Sequence, residues 1–378
     1  EIYRCDWSSD VCSSDLIKMC GIVGIVGKDN SEQYAHCLEV MKQAIRHRGF
    51  DDHGSIHVDD CYLGHQRLSI IDTSMDGHQP MESVDGDIVV VYNGEIYNFI
   101  ELKQLLRSNY TFKTESDTEV LIAAYLRWGV EFVHYLNGMF AIALYDKRSQ
   151  ELLLIRDRLG EKPLYFFEKD GTLYFASEIR SLLSTGKSSS KVDSQALIQY
   201  VTYQTVWNPL TIVEGIYSLM PGEYRIWKDG EWLIQKQYWQ VGDIDSSNEK
   251  RSKTEVVKEV RSHLDRSVQW RMRSDVPFGA FLSGGVDSSA VVGLMSQFSL
   301  QPISTFSIGF EEKQFDESIY SNEVAKRYNT KHHPIQLTTS DFFDAVMPAL
   351  EAMDHPSGDG VNSFVVAQVT RAQGIKMA

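Results

Sequence analysis

Four short apolar runs, at residues 140–145, 152–155, 163–167 and 172–176, follow one another with only polar turns between them. Each has the length and aromatic or aliphatic content of a strand, and none of the connections is long enough to hold a crossover helix. Strands joined in this way pair antiparallel, as a meander. Apolar strands must also bury their faces, so this part of the chain has to build a layered domain. Residues 21–26 form another apolar run, read as a buried strand. Residues 87–92 form a β-branched run that Asn93-Gly94 is expected to end in a turn. Tyr34, Leu38, Met41 and Ile45 fall at helical spacing, and further helices are expected near 100–106 and 118–128. Strands and helices are segregated rather than strictly alternating, so the first half reads as α+β, with helices packed on sheets.

Near residue 241 the character changes. Residues 241–254 are polar and rich in Asp, Ser and Lys, the composition of a linker. A helix follows with Val256, Val257, Val260, Leu264 and Val268 on one stripe. A strand at 278–282 then runs into Ser283-Gly284-Gly285-Val286-Asp287-Ser288-Ser289 and a helix, with another strand at 304–310 and a helix at 317–328. Strand, loop, helix, strand, helix is the pattern of a parallel α/β domain. Residues 374–378 read as entering a further strand. So few strands make a small parallel sheet, and this domain is expected to be truncated in the chain.

With 378 residues, two domains are the default. A hydrophobic fraction of 43% and a charged fraction of 24% are ordinary for a globular protein, and no apolar run approaches a membrane span. The net charge of −15 argues against nonspecific nucleic-acid binding, yet leaves room for a local phosphate site. Cys5 and Cys12 lie in residues 1–18, where Ser-Ser-Asp-aliphatic nearly repeats around a cysteine. That stretch has neither the apolar core of a signal peptide nor the Arg-rich look of a transit peptide. It resembles translated sequencing-adapter read-through and is expected to be an artefact; a pro-peptide cleaved before Cys20 is the rival. The remaining Cys20, Cys37 and Cys61 are odd in number and without paired spacing. This suits a reducing, cytoplasmic setting with one reactive thiol.

Met19-Cys20-Gly21 supplies the reactive thiol. An initiator Met19 before a small residue can be removed, leaving Cys20 with both a thiol and a free α-amine. Such an amine, with an ordinary pKa of roughly 7.7–8.0, can serve as general base without a histidine. Arg46-His47-Arg48-Gly49, Arg67-Leu68-Ser69-Ile70-Ile71, Asn93-Gly94-Glu95-Ile96-Tyr97-Asn98 and Ser116-Asp117-Thr118-Glu119 each punctuate an element boundary. With the Cys20 motif, this set resembles the N-terminal-nucleophile glutamine amidotransferases, specifically the glutaminase domain of the asparagine synthetase family, over residues 19–240. The resemblance implies an αββα sandwich and a thiolate attack on the glutamine side-chain amide. The Asn93 side chain and Gly94 N–H would hold the oxyanion, and Arg67 the substrate carboxylate. Asp117, with the Glu95 region, would hold the ammonium. Leu68, Ser69, Ile70 and Ile71 complete the implied glutamine-binding set. The family commonly has Pro where Phe50 stands here.

The Ser283–Ser288 string resembles the pyrophosphate loop of ATP pyrophosphatases. Its glycines free backbone N–H groups for phosphate oxygens at a helix N-terminus. It is not a Walker A loop, because no Gly-Lys-Ser/Thr follows. The resemblance implies ATP binding by Phe281, Leu282, Ser283, Gly284, Gly285, Asp287, Ser288 and Ile308, with Asp287 reaching Mg²⁺ through pyrophosphate. Met353-Asp354-His355-Pro356-Ser357-Gly358-Asp359-Gly360 looks like the family's loop toward the acyl substrate. His332-His333 has metal-ligand residue types without a third ligand, and a solvated loop is expected there. Family members continue past Ala378 into a second phosphate loop and a catalytic lysine.

The expected domains are therefore a leader at 1–18, a glutaminase at 19–240, a linker at 241–254 and an ATP-pyrophosphatase domain at 255–378. The expected activity is that of an ATP-dependent carbon–nitrogen ligase with glutamine as amide donor. Aspartate is the implied acceptor, and a homodimer is compatible; neither nucleic acid nor membrane is an expected partner. Three rivals stand beside it: a family member with another acyl acceptor in polysaccharide or secondary metabolism, an amidotransferase making glucosamine phosphate or a purine precursor, and a non-catalytic scaffold. The Ser283–Ser288 loop speaks against the second, and the intact Cys20, Asn93, Gly94 and Asp287 set against the third.

Overall fold

The computed structural model describes residues 19–28, 31–243, 251–310, 318–356 and 360–378. These divide into two compact units, residues 19–243 with 354–356, and residues 251–353 with 360–378.

The first unit contains twelve strands. In one sheet lie β1 (Gly21–Val26), β2 (Asp52–Val58), β3 (Cys61–Arg67), β8 (Tyr165–Lys169), β9 (Thr172–Ala176) and β10 (Tyr217–Ser218), in the order β10-β8-β9-β1-β3-β2. The second holds β4 (Met81–Glu82), β5 (Ile88–Ile96), β6 (Gly138–Asp146), β7 (Glu151–Arg156), β11 (Glu223–Lys228) and β12 (Glu231–Gln237), in the order β12-β11-β7-β6-β5-β4. Neighbours in both sheets run antiparallel. Helices α1 (Ser31–Ala44) and α4 (Ile179–Ser184) belong with the first sheet, and α2 (Phe99–Leu106) and α3 (Asp117–Trp128) with the second. Between them in sequence and β10 runs α5 (Ser194–Tyr203).

Three buried clusters fix the layers. Ile22, Val26 and Leu63 of the first sheet meet Val89, Val91, Ala141 and Ala143 of the second. On the outer faces, Val23 and Ile25 pack with Leu38 and Met41 of α1, and Ile88, Val90 and Tyr92 pack with Leu102, Val120 and Leu121 of α2 and α3. A strand buried on both faces reads as an uninterrupted apolar run, which is how 88–92 appears in the sequence. The result is the αββα sandwich expected.

In the first unit one local expectation fails. Asn93-Gly94 does not turn the chain; β5 continues through both to Ile96, with Gly94 opposite Phe140. Glycine is needed there for a different reason: a Cβ at position 94 would collide with the Met139 carbonyl oxygen on β6. The glycine marks close strand approach rather than reversal.

The second unit has a parallel sheet, β13 (Gly279–Phe281), β14 (Ser304–Phe310) and β15 (Lys331–Leu337), in sequence order. Its helices are α6 (Lys253–Arg271), α7 (Val286–Phe298), α8 (Ser318–Tyr328), α9 (Thr339–Ala352) and α10 (Gly360–Ala372). Met377 forms a parallel bridge to Phe278. Ser252 and Glu255 close a capping box at the start of α6. Along the expected stripe of α6 only Val268 is buried; Val256, Val257, Val260 and Leu264 are exposed, because the helix joins the core cluster only through Val268 and Met272. His332 and His333 do not lie in a solvated loop. Both are on β15, with His332 bonded to Thr305 and His333 stacked on Phe306. Pro334 is tolerated there because β15 is an edge strand. Residues 244–250 of the expected linker and 357–359 of the expected acyl-substrate loop lie outside the described residues.

Candidate active site

Cys20 stands at the N-terminal end of β1, half-buried. Its Sγ donates to the Leu68 carbonyl at 3.4 Å and accepts from the Leu68 N–H at 3.3 Å. Gly21 beside it is dictated by space. A Cβ there would come within 2.7 Å of Ile45 Cδ1 and 3.1 Å of Arg48 Cδ. Without that Cβ, Arg48 lies close enough for its Nε to donate to the Cys20 carbonyl at 3.0 Å. Burial pushes the Cys20 thiol up, while the Leu68 N–H and then the Lys162, Arg67 and Arg48 cations pull it back.

β5 delivers Asn93 and Glu95. Asn93 is 1% exposed, and its side-chain Nδ2 has no hydrogen-bond partner. A buried amide donor left without an acceptor is costly unless something else fills the role. Asp117 opens α3, whose N-terminus is capped by Ser116 Oγ accepting from the Thr118 N–H at 3.2 Å. Its Oδ2 accepts from the Tyr92 hydroxyl at 2.9 Å and the Ile96 N–H at 3.0 Å. Burial outweighs these bonds and raises the Asp117 carboxyl to about 6. Arg67 ends β3 and is buried. Its Nη1 donates to the Ser74 carbonyl at 2.8 Å and its Nη2 to the Asp72 carbonyl.

These residues face one cavity. Cys20, Arg67, Leu68, Ile70, Ile71, Asn93, Gly94, Glu95 and Asp117 all line it. Ser69 does not; its N–H donates to Asp51 Oδ2 at 2.8 Å instead, which ties the 68–71 loop to the segment after Gly49. The lining also includes Gln79, Tyr92, Ser116, Thr118 and Lys162, which the sequence reading passed over. Ser116 and Thr118 flank Asp117 in a motif already singled out. Lys162 carried no signal beyond being a lysine before Pro163.

Behind Cys20 lies a buried ion cluster. Glu178 Oε1 accepts from Arg48 Nη1 at 2.7 Å and from His47 Nε2 at 2.9 Å, and Oε2 lies 3.0 Å from Arg180 Nε. Burial works to raise the Glu178 carboxyl, but the His47 bond and the Arg48 charge overcome it and hold it at about 2. A depressed folded-state value adds stability above the ordinary carboxylate range that is lost as pH falls toward 2. Glu178→Ala strands Arg48 and His47. It is expected to cost about 3–5 kcal/mol in urea unfolding at pH 7, with the loss shrinking as the pH is lowered below the ordinary carboxylate range.

In the second unit, β13 leads through Leu282 into a tight loop with Gly284 at φ +85° and Gly285 as N-cap of α7. The left-handed backbone requires glycine at 284, where a Cβ would also meet Tyr320 Cβ at 2.6 Å. Ser283 Oγ bonds Ser288 Oγ at 3.0 Å and accepts from the Gly285 N–H at 3.3 Å. Asp287 is exposed in the first turn of α7. The side chains expected near adenine are differently placed. Phe281 is exposed, Ile308 packs beside the Phe306 cluster, and Leu282 is wholly buried among Ala280, Val292 and Leu294. No cluster of three or more metal-ligating side chains occurs among the described residues. A single carboxylate beside a glycine-lined helix N-terminus fits a phosphate-bearing ligand that brings its own Mg²⁺.

The sandwich carries a cysteine at the head of β1, and a parallel unit follows it in the chain. Residues 19–239 match the family model described as a glutamine amidotransferase domain, and residues 259–378 the one described as asparagine synthase. A Methanocaldococcus jannaschii protein assigned as asparagine synthetase (glutamine-hydrolysing) 2 is 35% identical over 93% of this chain and 72% of its own length. Asparagine synthetase (glutamine-hydrolysing) 1 of Bacillus subtilis is 37% identical over 90% of this chain and 54% of its own length. Amidase chyE of Penicillium rubens is 33% identical over 95% of this chain and 57% of its own length. The chain belongs to the glutamine-hydrolysing asparagine synthetase family. It spans just over half the length of the second and third of these relatives. Among the described residues no helix is long and apolar enough to cross a membrane.

Proposed function

We propose that the first unit hydrolyses glutamine at Cys20 and that the whole protein transfers the ammonia to ATP-activated aspartate, giving asparagine, AMP and pyrophosphate. The observation that supports this most is the sharing of one cavity by the Cys20 thiol and the unpartnered Asn93 amide. With Cys20 N-terminal, its α-amine takes the thiol proton and the sulfur attacks the glutamine δ-carbon. The carbonyl oxygen gains negative charge, which Asn93 Nδ2 and the Gly94 N–H stabilise. The amine then returns the proton to the leaving nitrogen, ammonia departs, and water hydrolyses the thioester. Asp117 and Glu95 hold the substrate ammonium, and Arg67 its carboxylate. The Arg67 contacts to Asp72 and Ser74 leave the rest of its fork for that purpose.

In the second unit, the Ser283–Ser288 loop receives the β- and γ-phosphates at the N-terminus of α7, with Asp287 as Mg²⁺ ligand. Mg²⁺ held by Asp287 and the phosphates would supply positive charge against the pyrophosphate leaving group. Leu282 contributes through its backbone where the chain leaves β13, since its side chain is in the core.

Ammonia release from glutamine by protein beginning at Cys20 tests the first half. Retention of Met19, which leaves Cys20 with an amide nitrogen, is expected to remove that activity. Pyrophosphate release by the full-length protein tests the second. It should require aspartate, and release that is indifferent to aspartate would assign a different acyl acceptor.

A further inference from the structure

Lys162 is a buried charge that the reaction above does not use. It follows the turn after β7, where Asp157 Oδ2 accepts its backbone N–H at 3.0 Å. The residue is 5% exposed, and among the described residues its Nζ has one hydrogen-bond acceptor, Met19 Sδ at 2.8 Å. A thioether is a weak acceptor, and no carboxylate pairs with this ammonium among the described residues. Burying a cation this way is costly, so a stronger partner is expected at some stage of the cycle. The acceptor it does have belongs to Met19, the residue that must leave before Cys20 acquires its α-amine.

The other cations near Cys20 are already committed. Arg48 is paired with Glu178, and Arg67, held by the Asp72 and Ser74 carbonyls, is assigned to the substrate carboxylate. Lys162 lines the same cavity as Cys20, and among the described residues no close ion pair joins its ammonium to a carboxylate. We propose that Lys162 is the electrostatic partner of the Cys20 nucleophile: once Met19 has gone, its ammonium keeps the new α-amine in the free-base form and favours the thiolate. This rests on the reading of Cys20 as an N-terminal nucleophile. The proton passes from Sγ to the α-amine, the sulfur electron pair forms the C–S bond, and the amide nitrogen leaves with that proton as ammonia. Lys162 gives up no proton in this sequence; it contributes only its field.

The sign follows from charge. A nearby cation lowers the pKa of the amine and of the thiol alike. Both effects move the acidic limb of activity to lower pH. Arg48 and Arg67 act in the same sense. Glu95 opposes them across the cavity, as do ionised Asp117 and the adjacent Glu161, and Tyr92 remains a neutral phenol at working pH because burial raises it. Burial pulls Lys162 itself down from its ordinary value, and Glu95 and the Cys20 thiolate push it back up.

The test uses protein whose N-terminal residue is Cys20 by intact mass, as wild type, Lys162→Met and Lys162→Arg. Alkylation of Cys20 by iodoacetamide is followed against pH by peptide mass, which separates it from Cys37 and Cys61. The pH dependence of glutaminase kcat/KM is measured on the same samples. Lys162→Met should move the alkylation midpoint and the acidic limb up together by about one pH unit, a roughly tenfold rate loss at a pH below both midpoints. Lys162→Arg should hold both near wild type. Alkylation midpoints that coincide in wild type and Lys162→Met overturn the proposal. If no form hydrolyses glutamine, the proposed function fails, and the midpoints still decide the role of Lys162. Methionine replaces the buried ammonium with an apolar chain of similar length, a change often neutral for folding. Should Lys162→Met fail to fold, Lys162→Gln supplies the neutral comparison.

Discussion

Cys20→Ala is expected to lower glutamine hydrolysis by about 10⁴-fold or more while leaving the melting temperature close to wild type. The activity loss is large because covalent attack has no substitute once the sulfur is gone; only the oxyanion donors and substrate binding remain. The structural loss is small because, among the described residues, Sγ makes two long hydrogen bonds, both to the backbone of Leu68. Asn93→Ala provides the complementary case. It removes one donor from the developing oxyanion and should lower kcat by about 10²–10³-fold with little change in KM. Since Asn93 Nδ2 has no partner to lose, its removal strands nothing in the resting protein. Thermal melts and steady-state ammonia release on the same preparations separate these effects. Wild-type turnover in Cys20→Ala would remove the basis of the proposed function.

Asp117→Asn is expected to make the protein more stable and nearly unable to bind glutamine. Asp117 has an ordinary value of 3.8 that burial raises to about 6 in the folded state. For a carboxyl raised on folding, the native state holds its proton more tightly than the unfolded chain. The group therefore favours folding most below about pH 4, and that contribution drains away as pH rises through about 6. At pH 7 the difference is worth about 2–3 kcal/mol against folding. Asparagine keeps an oxygen to accept from the Tyr92 hydroxyl and the Ile96 N–H, without the buried charge. Unfolding of Asp117→Asn should accordingly be less dependent on pH between 4 and 6, with the gain appearing at pH 7 and vanishing near pH 4. Function moves the opposite way. Removing one partner of a desolvated charge pair raises KM on the order of 100-fold. In wild type, KM should fall as pH rises through about 6, because the substrate ammonium binds the ionised carboxylate. A stability gain with unchanged KM would show that Asp117 does not hold the ammonium.

Much of the fold was legible where one physical signal dominated. The runs behind β1 and β6 to β9 are apolar enough that burial alone decides them, and α1, α2 and α3 show helical spacing. β2 and β3 were not legible. His53, His57, His65 and Gln66 break the alternation of that hairpin, and Asp59 at its turn has a φ of +53° that no sequence pattern announced. β15 was misread because two adjacent histidines look solvated. Pairing along β14 and the stacking of His333 on Phe306 override that preference. Gly94 was read for the wrong reason, since a glycine demanded by a neighbouring strand looks the same in sequence as a glycine demanded by a turn.

By itself the sequence determined the chemistry on offer: a cysteine after a removable methionine, the residue types around Arg67, Asn93 and Asp117, and the glycine-rich entry to α7. Those are local facts, carried by side-chain type and spacing. Only the tertiary structure decided which groups share a cavity, which donor is left without an acceptor and which charges are neutralised. Glu178 and Lys162 show the difference: one is an acid silenced by two neighbours far away in the chain, the other a cation with no close ion-pair partner among the described residues. Burial and pairing set their behaviour, and both depend on residues more than a hundred positions apart.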